Sequence, residues 1–454
     1  LDDRMGRVAE WFPRNLFIGA PFGGEDAARA ADSMAVQLQI AAEMCRQVKS
    51  LRAGFDVNGQ EMRYALEIQP VAESDLETYF RGVPAGPPES VERLPADAFA
   101  FVALKLGNLN SFAAEWSDHA VRMMKVWGAP EEILNAQKEG VAALVKRLGE
   151  EWTMAAQFGL PMRFFQIVRF KTAEAAGQAL TQSVKMAQNA PPPYGQTQYE
   201  MEAEEATYRH HPVAAMRMRF GVPGEADEGA ANQNAAHRMQ QQMQAKLFGK
   251  DGWGHQTVVV GRDWMTQMGV QENGENRWAE LDPIINGDYE RLTGDAEVKK
   301  LLENAPADTT GVFFLRLTGL VEWQFNLVRA ANPMAMMIPE LKMENGPGVP
   351  GYVRGIKDGM RVVCQVPAEE LKIVKEGVKK AMGGVMRRHG EGGGVEDVEP
   401  PAERPLTQMP EEKVVVRVDE DGKYRIEERV LTEEELKGEL RKLARRDPPI
   451  TLVV

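Results

Sequence analysis

Pro95-Ala96-Asp97 opens a run that continues through Phe101-Val102-Ala103-Leu104-Lys105-Leu106 to Leu109 and Phe112, and this stretch decides the fold class. It has an echo 211 positions on, where Pro306-Ala307-Asp308 leads through Phe313-Phe314-Leu315-Arg316-Leu317 to Leu320 and Trp323. The offset holds without a gap: Leu104 matches Leu315, Lys105 matches Arg316, Leu106 matches Leu317, Leu109 matches Leu320, and Phe112 matches Trp323. Each copy reads as a proline-set turn, a buried strand and a helix bearing an aromatic residue.

A second unit recurs three times. Met62-Arg63 leads into Tyr64 to Ile68, Met162-Arg163 into Phe164 to Val168, and Met360-Arg361 into Val362 to Val366. Each strand is followed by a helix start, at Pro70-Val71-Ala72-Glu73, Thr172-Ala173-Glu174 and Pro367-Ala368-Glu369. Pro or Thr with acids in the first turn suits a helix N-terminus, because those residues tolerate or satisfy the free amides there. Leu371, Val374 and Val378 give the last of these helices one apolar face. Strand followed by amphipathic helix, repeated, predicts an α+β fold of strand–helix units forming sheets with helices packed on one face.

These signals divide the body into a partial unit over 1–90, a unit over 91–295 and a unit over 296–382. Residues 187–250 form a polar insertion within the second unit, with Pro191-Pro192-Pro193, acids at Glu202 to Glu205, and a Gln/Met-rich run from Gln233 to Gln244. That run reads as an exposed or partner-packed helix, or as a loop insertion. Residues 383–412, with Gly392-Gly393-Gly394 and four prolines among acids, cannot bury a core and read as a flexible linker. The body is similar to an uncharacterised repeat family of exported bacterial proteins, marked by "LPAD" strand openings and "VP" helix starts. That resemblance brings no catalytic residues with it.

From 413 to 454 the local signals agree on a small ββαβ module. Val414, Val415, Val416 and Val418 make a strand, Asp421-Gly422 a tight turn, and Tyr424, Ile426 and Val430 a return strand. Thr432 with Glu435 forms a capping box, Leu436, Leu440 and Leu443 an apolar helix face, and Asp447-Pro448-Pro449 a stop before a strand at Ile450 to Val454. This order, with its "TEEEL" helix and "DPPITLVV" strand, resembles the periplasmic domain of the ExbD/TolR biopolymer-transport family. The family continues into an acidic motif, a further helix and a strand, so the module is expected to be truncated. The family's upstream membrane helix, with its proton-coupling aspartate, has a Gly/Pro/acid tether in its place here.

Composition sets bounds on function. The chain has 454 residues, 43% hydrophobic and 27% charged, as expected of globular protein. A formal net charge of −13 repels phosphate backbones, which argues against nucleic acid as a partner. No apolar run is long enough to span a bilayer. The chain opens at Leu1 and stops within the apolar run Leu452-Val453-Val454, so both ends are expected to be cut. Two cysteines, Cys45 and Cys364, exclude a disulfide framework or a Cys-rich zinc site; each has apolar neighbours and reads as a buried free thiol.

The best metal candidate is His210-His211 with Glu204 and Glu205, but it lacks any fixed-face spacing and reads as a solvated polar stretch. Trp116, Asp118 and His119 are near neighbours on one helix and do not face one another, so ordinary surface placement is expected. Gly19-Ala20-Pro21-Phe22-Gly23-Gly24 lacks the lysine and spacing of a phosphate loop and reads as a turn. No catalytic, cofactor-binding or metal site is assigned. The expected function is non-catalytic: a cell-envelope protein, periplasmic or membrane-associated, acting through protein contacts in or near a biopolymer-transport complex. The alternative is an exported binding or scaffold protein with no transport role, and a cytoplasmic place stays open.

Overall fold

The computed structural model describes residues 25–111, 113–126, 128–157, 163–188, 199–220, 253–270, 274–331, 341–357 and 359–390. In the C-terminal module it describes 413–418, 424–426, 429–431, 435 and 451–453. The fold is α+β. Among the described residues the body holds helices α1 (Glu25–Arg46), α2 (Asp75–Arg81), α3 (Ala113–Val126), α4 (Glu131–Arg147), α5 (Ala173–Gln188), α6 (Asp282–Asn286), α7 (Ala296–Glu303), α8 (Leu317–Ala331) and α9 (Ala368–Gly390). Its strands are β1 (Val48–Val57), β2 (Glu61–Pro70), β3 (Ala98–Lys105), β4 (Leu148–Gln157), β5 (Arg163–Phe170), β6 (Tyr199–Tyr208), β7 (His211–Phe220), β8 (Trp253–Val260), β9 (Asp263–Val270), β10 (Thr309–Leu315), β11 (Val349–Ile356) and β12 (Gly359–Pro367).

All twelve strands share one antiparallel sheet in the order β1-β2-β12-β11-β10-β3-β4-β5-β9-β8-β7-β6. The 211-residue repeat sits at its centre. β3 and β10 pair with Val102 opposite Phe313, its own equivalent in the repeat. Ala100 lies opposite Leu315 and Leu104 opposite Gly311, so each pair maps onto another of the same ladder. The two strands are therefore related by a pseudo-twofold axis through Val102 and Phe313. Extended outward, the axis exchanges β4 with β11, β5 with β12, β9 with β2 and β8 with β1. Register follows it too, since Phe164 faces Met268 and Val362 faces Leu66.

The Pro-Ala-Asp motif has the same task in both halves. Ala98 N–H donates to Pro95 O, and Thr309 N–H to Pro306 O, which closes the turn into each strand. Asp97 then accepts from Gln157 at 2.7 Å, and Asp308 accepts two hydrogen bonds from Arg354, both at 2.9 Å. Gln157 lies opposite Ala98 and Arg354 opposite Thr309, so each aspartate fastens its strand to the neighbour at the equivalent place.

The expected units at 1–90, 91–295 and 296–382 thus contribute to a single sheet. The opening hairpin of each half pairs with the last strand of the other: β2 with β12, and β9 with β5. Of the three Met-Arg strands, β5 and β12 are equivalents, whereas β2 corresponds to β9. Arg361 and Glu67, directly opposed, form an ion pair across one junction of the halves.

Both faces of the sheet are covered except at its β1 end, where Leu51 to Val57 are exposed. Phe101, Ala103, Phe165, Ile167, Val258, Met265, Val312 and Phe314 point to one face, where Val91, Leu94, Leu281, Ile284, Leu292, Val298 and Leu301 close the core. These covering residues lie in or beside short helices, including α6 and α7. Phe170, Ala214 and Val259 alternate to the opposite face and pack under Ala176, Ala179, Leu180 and Val184 of α5. Expectation therefore placed helices on one face, and a second layer of short helices covers the other.

The polar insertion 187–250 supplies two strands beyond the pseudo-twofold. β6 and β7 join through Arg209 and His210, both at positive φ, the backbone a two-residue hairpin needs. The run Gln233 to Gln244 lies outside the described residues. The expected linker at 383–412 begins inside α9, which continues to Gly390. Met386, Arg387 and Arg388 favour helix, and Gly383-Gly384 costs only about 1 kcal/mol per glycine.

The C-terminal module forms a separate sheet in the order β15-β14-β13-β16, with β13 at Lys413–Val418, β14 at Tyr424–Ile426, β15 at Arg429–Leu431 and β16 at Thr451–Val453. β13 and β14 are antiparallel, as the Asp421-Gly422 signal predicts, and β16 runs parallel to β13. The expected single return strand is instead two, with Ile426 opposite Arg429. In the sequence its apolar alternation lapses at Glu427-Glu428, between the two strands. Glu435 is helical; the rest of the expected helix lies outside the described residues.

Candidate interaction edge

β1 is one of the two edge strands of the sheet. Its sequence, Val48-Lys-Ser-Leu-Arg-Ala-Gly-Phe-Asp-Val57, alternates two chemistries. Leu51, Ala53, Phe55 and Val57 face one side with Tyr64 of β2, while Arg52, Gly54 and Asp56 face the other. At the hairpin, Asn58 Oδ1 accepts from the amides of Gln60 and Glu61, and Asn58 N–H donates to Glu61 O at 3.0 Å. Hydrogen-bonded positions alternate along an antiparallel ladder, so Asp56, Gly54 and Arg52 bond to β2. The N–H and C=O groups of Leu51, Ala53, Phe55 and Val57 consequently point away from the sheet.

The side chains there are open as well. Leu51 is 62% exposed, Val57 53%, Phe55 46% and Tyr64 44%. The rings of Phe55 and Tyr64 meet with centroids 4.7 Å apart, giving the strip a rigid aromatic centre. Scattered exposed apolar residues are ordinary, but here four line one edge that also presents free backbone groups.

The other edge is guarded. β6 carries Glu202, Glu204 and Glu205, Gln188 of α5 donates to Ala203 O at 2.9 Å, and Thr181 donates to Glu205 at 2.6 Å. A polar cleft of about 440 Å³ lies here, lined by Gln188, Met201, Glu202, Glu204 and Arg217 among others. The contrast is sharper by symmetry. β8, the counterpart of β1, is covered by β7, and Val259, the counterpart of Val57, is buried.

The ionisable clusters have structural tasks. Glu43 of α1 and Glu115 and His119 of α3 bring their ligating atoms within 4.8 Å of one another, one such group among the described residues. His119 is 8% exposed, which corrects its expected surface placement. The reason is that α1, far upstream, lies across α3; no pair within one helix was needed. Asp118 does stay at the surface, paired with Lys138 at 2.6 Å. Arg122 already holds both oxygens of Glu43, at 3.0 and 2.6 Å, and the Gln47 amide donates to Glu115. The cluster has its own cation and serves as a clamp between helices.

The Arg122 hydrogen bond, aided by His119 and opposed by burial, holds the Glu43 carboxyl down to about 2 from an ordinary 4.5. A depressed folded-state pKa contributes stability above the unfolded value and loses it as pH falls through the folded one. Docking of α1 is therefore expected to weaken as pH drops from about 4.5 to about 2. Proteolysis of α1 followed over that range should show this, and Glu43→Gln should flatten the dependence.

A larger network joins Arg169 of β5 to Asp263 of β9 (3.1 Å), Glu151 of β4 (3.2 Å) and Glu89 (3.1 Å), and Arg93 also binds Asp263. Glu151 accepts from the amides of Glu89 and Ser90, and the Ser90 and Thr153 hydroxyls meet at 2.5 Å. Burial opposes the Arg169 charge, but the hydrogen bond and charge of Asp263 outweigh it and raise the guanidinium pKa. This network fastens the short helix at Glu89–Arg93 to the sheet. Glu370, fully buried, likewise accepts from the amides of Thr318 and Gly348 and ties the starts of α8 and α9 to the approach to β11.

The structure does not assemble His210-His211 with Glu204 and Glu205. His211 sits at the hairpin opposite Tyr208 and hydrogen-bonds Val259 O at 2.9 Å, while Glu205 lies three ladder positions away opposite Ala214. Burial pushes His255 of β8 down to about 4, so it is neutral at neutral pH. Cys45 and Cys364 are free and half-buried. The glycine stretch at 19–24 lies outside the described residues. The sequence signals of the β1 edge are the period-two alternation from Leu51 to Val57 and the hairpin pair Asn58-Gly59, neither of which marks the strand as an edge.

Fold and edge together define an α+β protein whose twelve-stranded sheet has an internal pseudo-twofold and, among the described residues, one unguarded edge. No protein-family model matches the chain, and comparison with curated proteins and with solved structures returns no match.

Proposed function

We propose that the protein is a non-catalytic binding or scaffold protein that acts through protein–protein contacts, receiving an extended strand at the edge of β1. The supporting observation is the coincidence, on one strand, of outward backbone groups and the exposed Leu51, Phe55 and Val57, with Tyr64 of β2 beside them. Strand addition draws affinity from main-chain hydrogen bonds and selectivity from alternate side chains, and this edge offers both. Peptides selected from a random display library against the full chain are expected to be extended, with apolar residues at every second position. Ala53→Pro removes one outward N–H and leaves the ladder to β2 intact, so it should abolish their binding. Selected peptides that bind the proline variant equally well would contradict this reading.

A second reading concerns the C-terminal module, which we propose is ExbD/TolR-like and brings the protein to the cell envelope beside transport components. The position of β16 at a sheet edge, parallel to β13, favours it, because that strand could take a partner strand of its own. Deleting 413–454 should then end co-purification with membrane-embedded partners; unchanged recovery would sink the idea.

A further inference from the structure

We infer that the strand received by β1 is β1 of a second copy of this chain, in an antiparallel pairing whose twofold axis passes through Gly54. The inference rests on the reading of β1 as a strand-accepting edge and names its occupant.

The register follows from hydrogen bonding and charge. The outward groups belong to Leu51, Ala53, Phe55 and Val57, so only registers that set odd-numbered residues against odd-numbered residues align donors with acceptors. A twofold at Arg52 would oppose Arg52 to itself, and one at Asp56 would oppose Asp56 to itself. A twofold at Ala53 or Phe55 leaves both charges facing uncharged residues. Centred on Gly54, the pairing sets Arg52 against Asp56 twice, on one face of the joined sheet. On the other face it sets Leu51 against Val57 and Ala53 against Phe55, so the exposed apolar strip meets its own continuation. Opposite charges and apolar pairs directly across a ladder both stabilise it, whereas like charges destabilise it. The contact is isologous and closes as a dimer. β6, with Glu202, Glu204 and Glu205, repels a copy of itself, which leaves β1 as the edge of the twelve-stranded sheet able to pair symmetrically.

Gly54 also supplies the probe. A Cβ built there meets Ala65 at 3.9 Å, ordinary contact, so Gly54→Cys fits the fold. At the axis, two such residues form a non-hydrogen-bonded pair with Cα atoms about 4.5 Å apart, within disulfide range. Asp56→Cys is the control, because its two copies stand about 14 Å apart in this register.

The test uses the full chain in sedimentation and light scattering, with disulfide trapping in a background where Cys45 and Cys364 are serine. A concentration-dependent rise from 50.5 kDa towards twice that mass is expected. Arg52→Asp or Asp56→Arg alone should weaken the dimer at least tenfold, and the two combined should restore part of it, because Glu67 and Arg63 opposite them on β2 then face like charges. Gly54→Cys should give a covalent dimer on mild oxidation, and Asp56→Cys should not. A wild-type chain that stays monomeric overturns the inference. So does a dimer that Gly54→Cys fails to trap or the double reversal fails to rescue, or a ladder of larger species from head-to-tail pairing of β1 with acidic β6. A monomeric chain whose selected peptides still require Ala53 would remove self-pairing while strand capture stands; peptides indifferent to Ala53→Pro would remove strand capture itself.

Discussion

Arg169→Met is expected to destabilise the folded body by about 3–5 kcal/mol, read as a fall in the denaturant midpoint with little change in slope. The guanidinium lies among Asp263, Glu151 and Glu89, and of these Asp263 and Glu151 are nearly inaccessible. Removing it leaves Glu151 buried without its cation and Asp263 with Arg93 alone, and an uncompensated buried charge costs far more than the pair contributes. Arg93 still reaches Asp263 but not Glu151, so Glu151→Gln in the same chain should recover part of the loss. A loss below about 1 kcal/mol, typical of exposed ion pairs, would mean that the network is hydrated.

Phe314→Ala should cost a similar amount, about 3–5 kcal/mol, for a different reason. Its ring stacks on Phe101 with centroids 6.1 Å apart beside the pseudo-twofold, and the Arg316 guanidinium lies over it at 5.4 Å. On the far side of the axis the equivalent positions hold Ala103 and Val312, which are much smaller. The two aromatic rings thus fill the middle of the core for both halves. Thermal unfolding of Phe101→Ala, Phe314→Ala and the double variant would measure their coupling; because the rings touch, the losses should not add.

Much of this architecture is written in local sequence. The Pro-Ala-Asp repeat marks β3 and β10, and its constant offset is what the pseudo-twofold requires. The Met-Arg strands and their helix starts mark β5 with α5 and β12 with α9. Partner choice is not local. Nothing near Met62 says that β2 pairs with β12, almost 300 residues later, instead of following β5 and β12 as a third copy. The hairpin β6–β7 is hidden because Glu202 to Glu205 reads as an acidic patch, and its turn uses Arg209 and His210 where glycine or asparagine would have announced it. His119 was placed at the surface because its partner, Glu43, comes from a helix that only tertiary packing brings near.

The candidate edge was legible in form and not in consequence. Alternation over Leu51 to Val57 and the Asn58-Gly59 turn specify a hairpin with one apolar face, and such a face is normally buried. β8, its counterpart, is buried because the insertion supplies β7 and β6 beside it. Whether a strand is an edge depends on what other segments do, so exposure of β1 emerges only from the complete strand order.

Hydrogen exchange resolved to single amides along β1 tests strand addition at this edge most directly. With a selected peptide bound, or at concentrations where the chain is dimeric, the amides of Leu51, Ala53, Phe55 and Val57 should become as slow as those of Arg52, Gly54 and Asp56. On dilution without peptide, the odd-numbered amides alone should return to fast exchange. Odd-numbered amides that stay fast while peptide is bound or the chain is dimeric would contradict strand addition at β1.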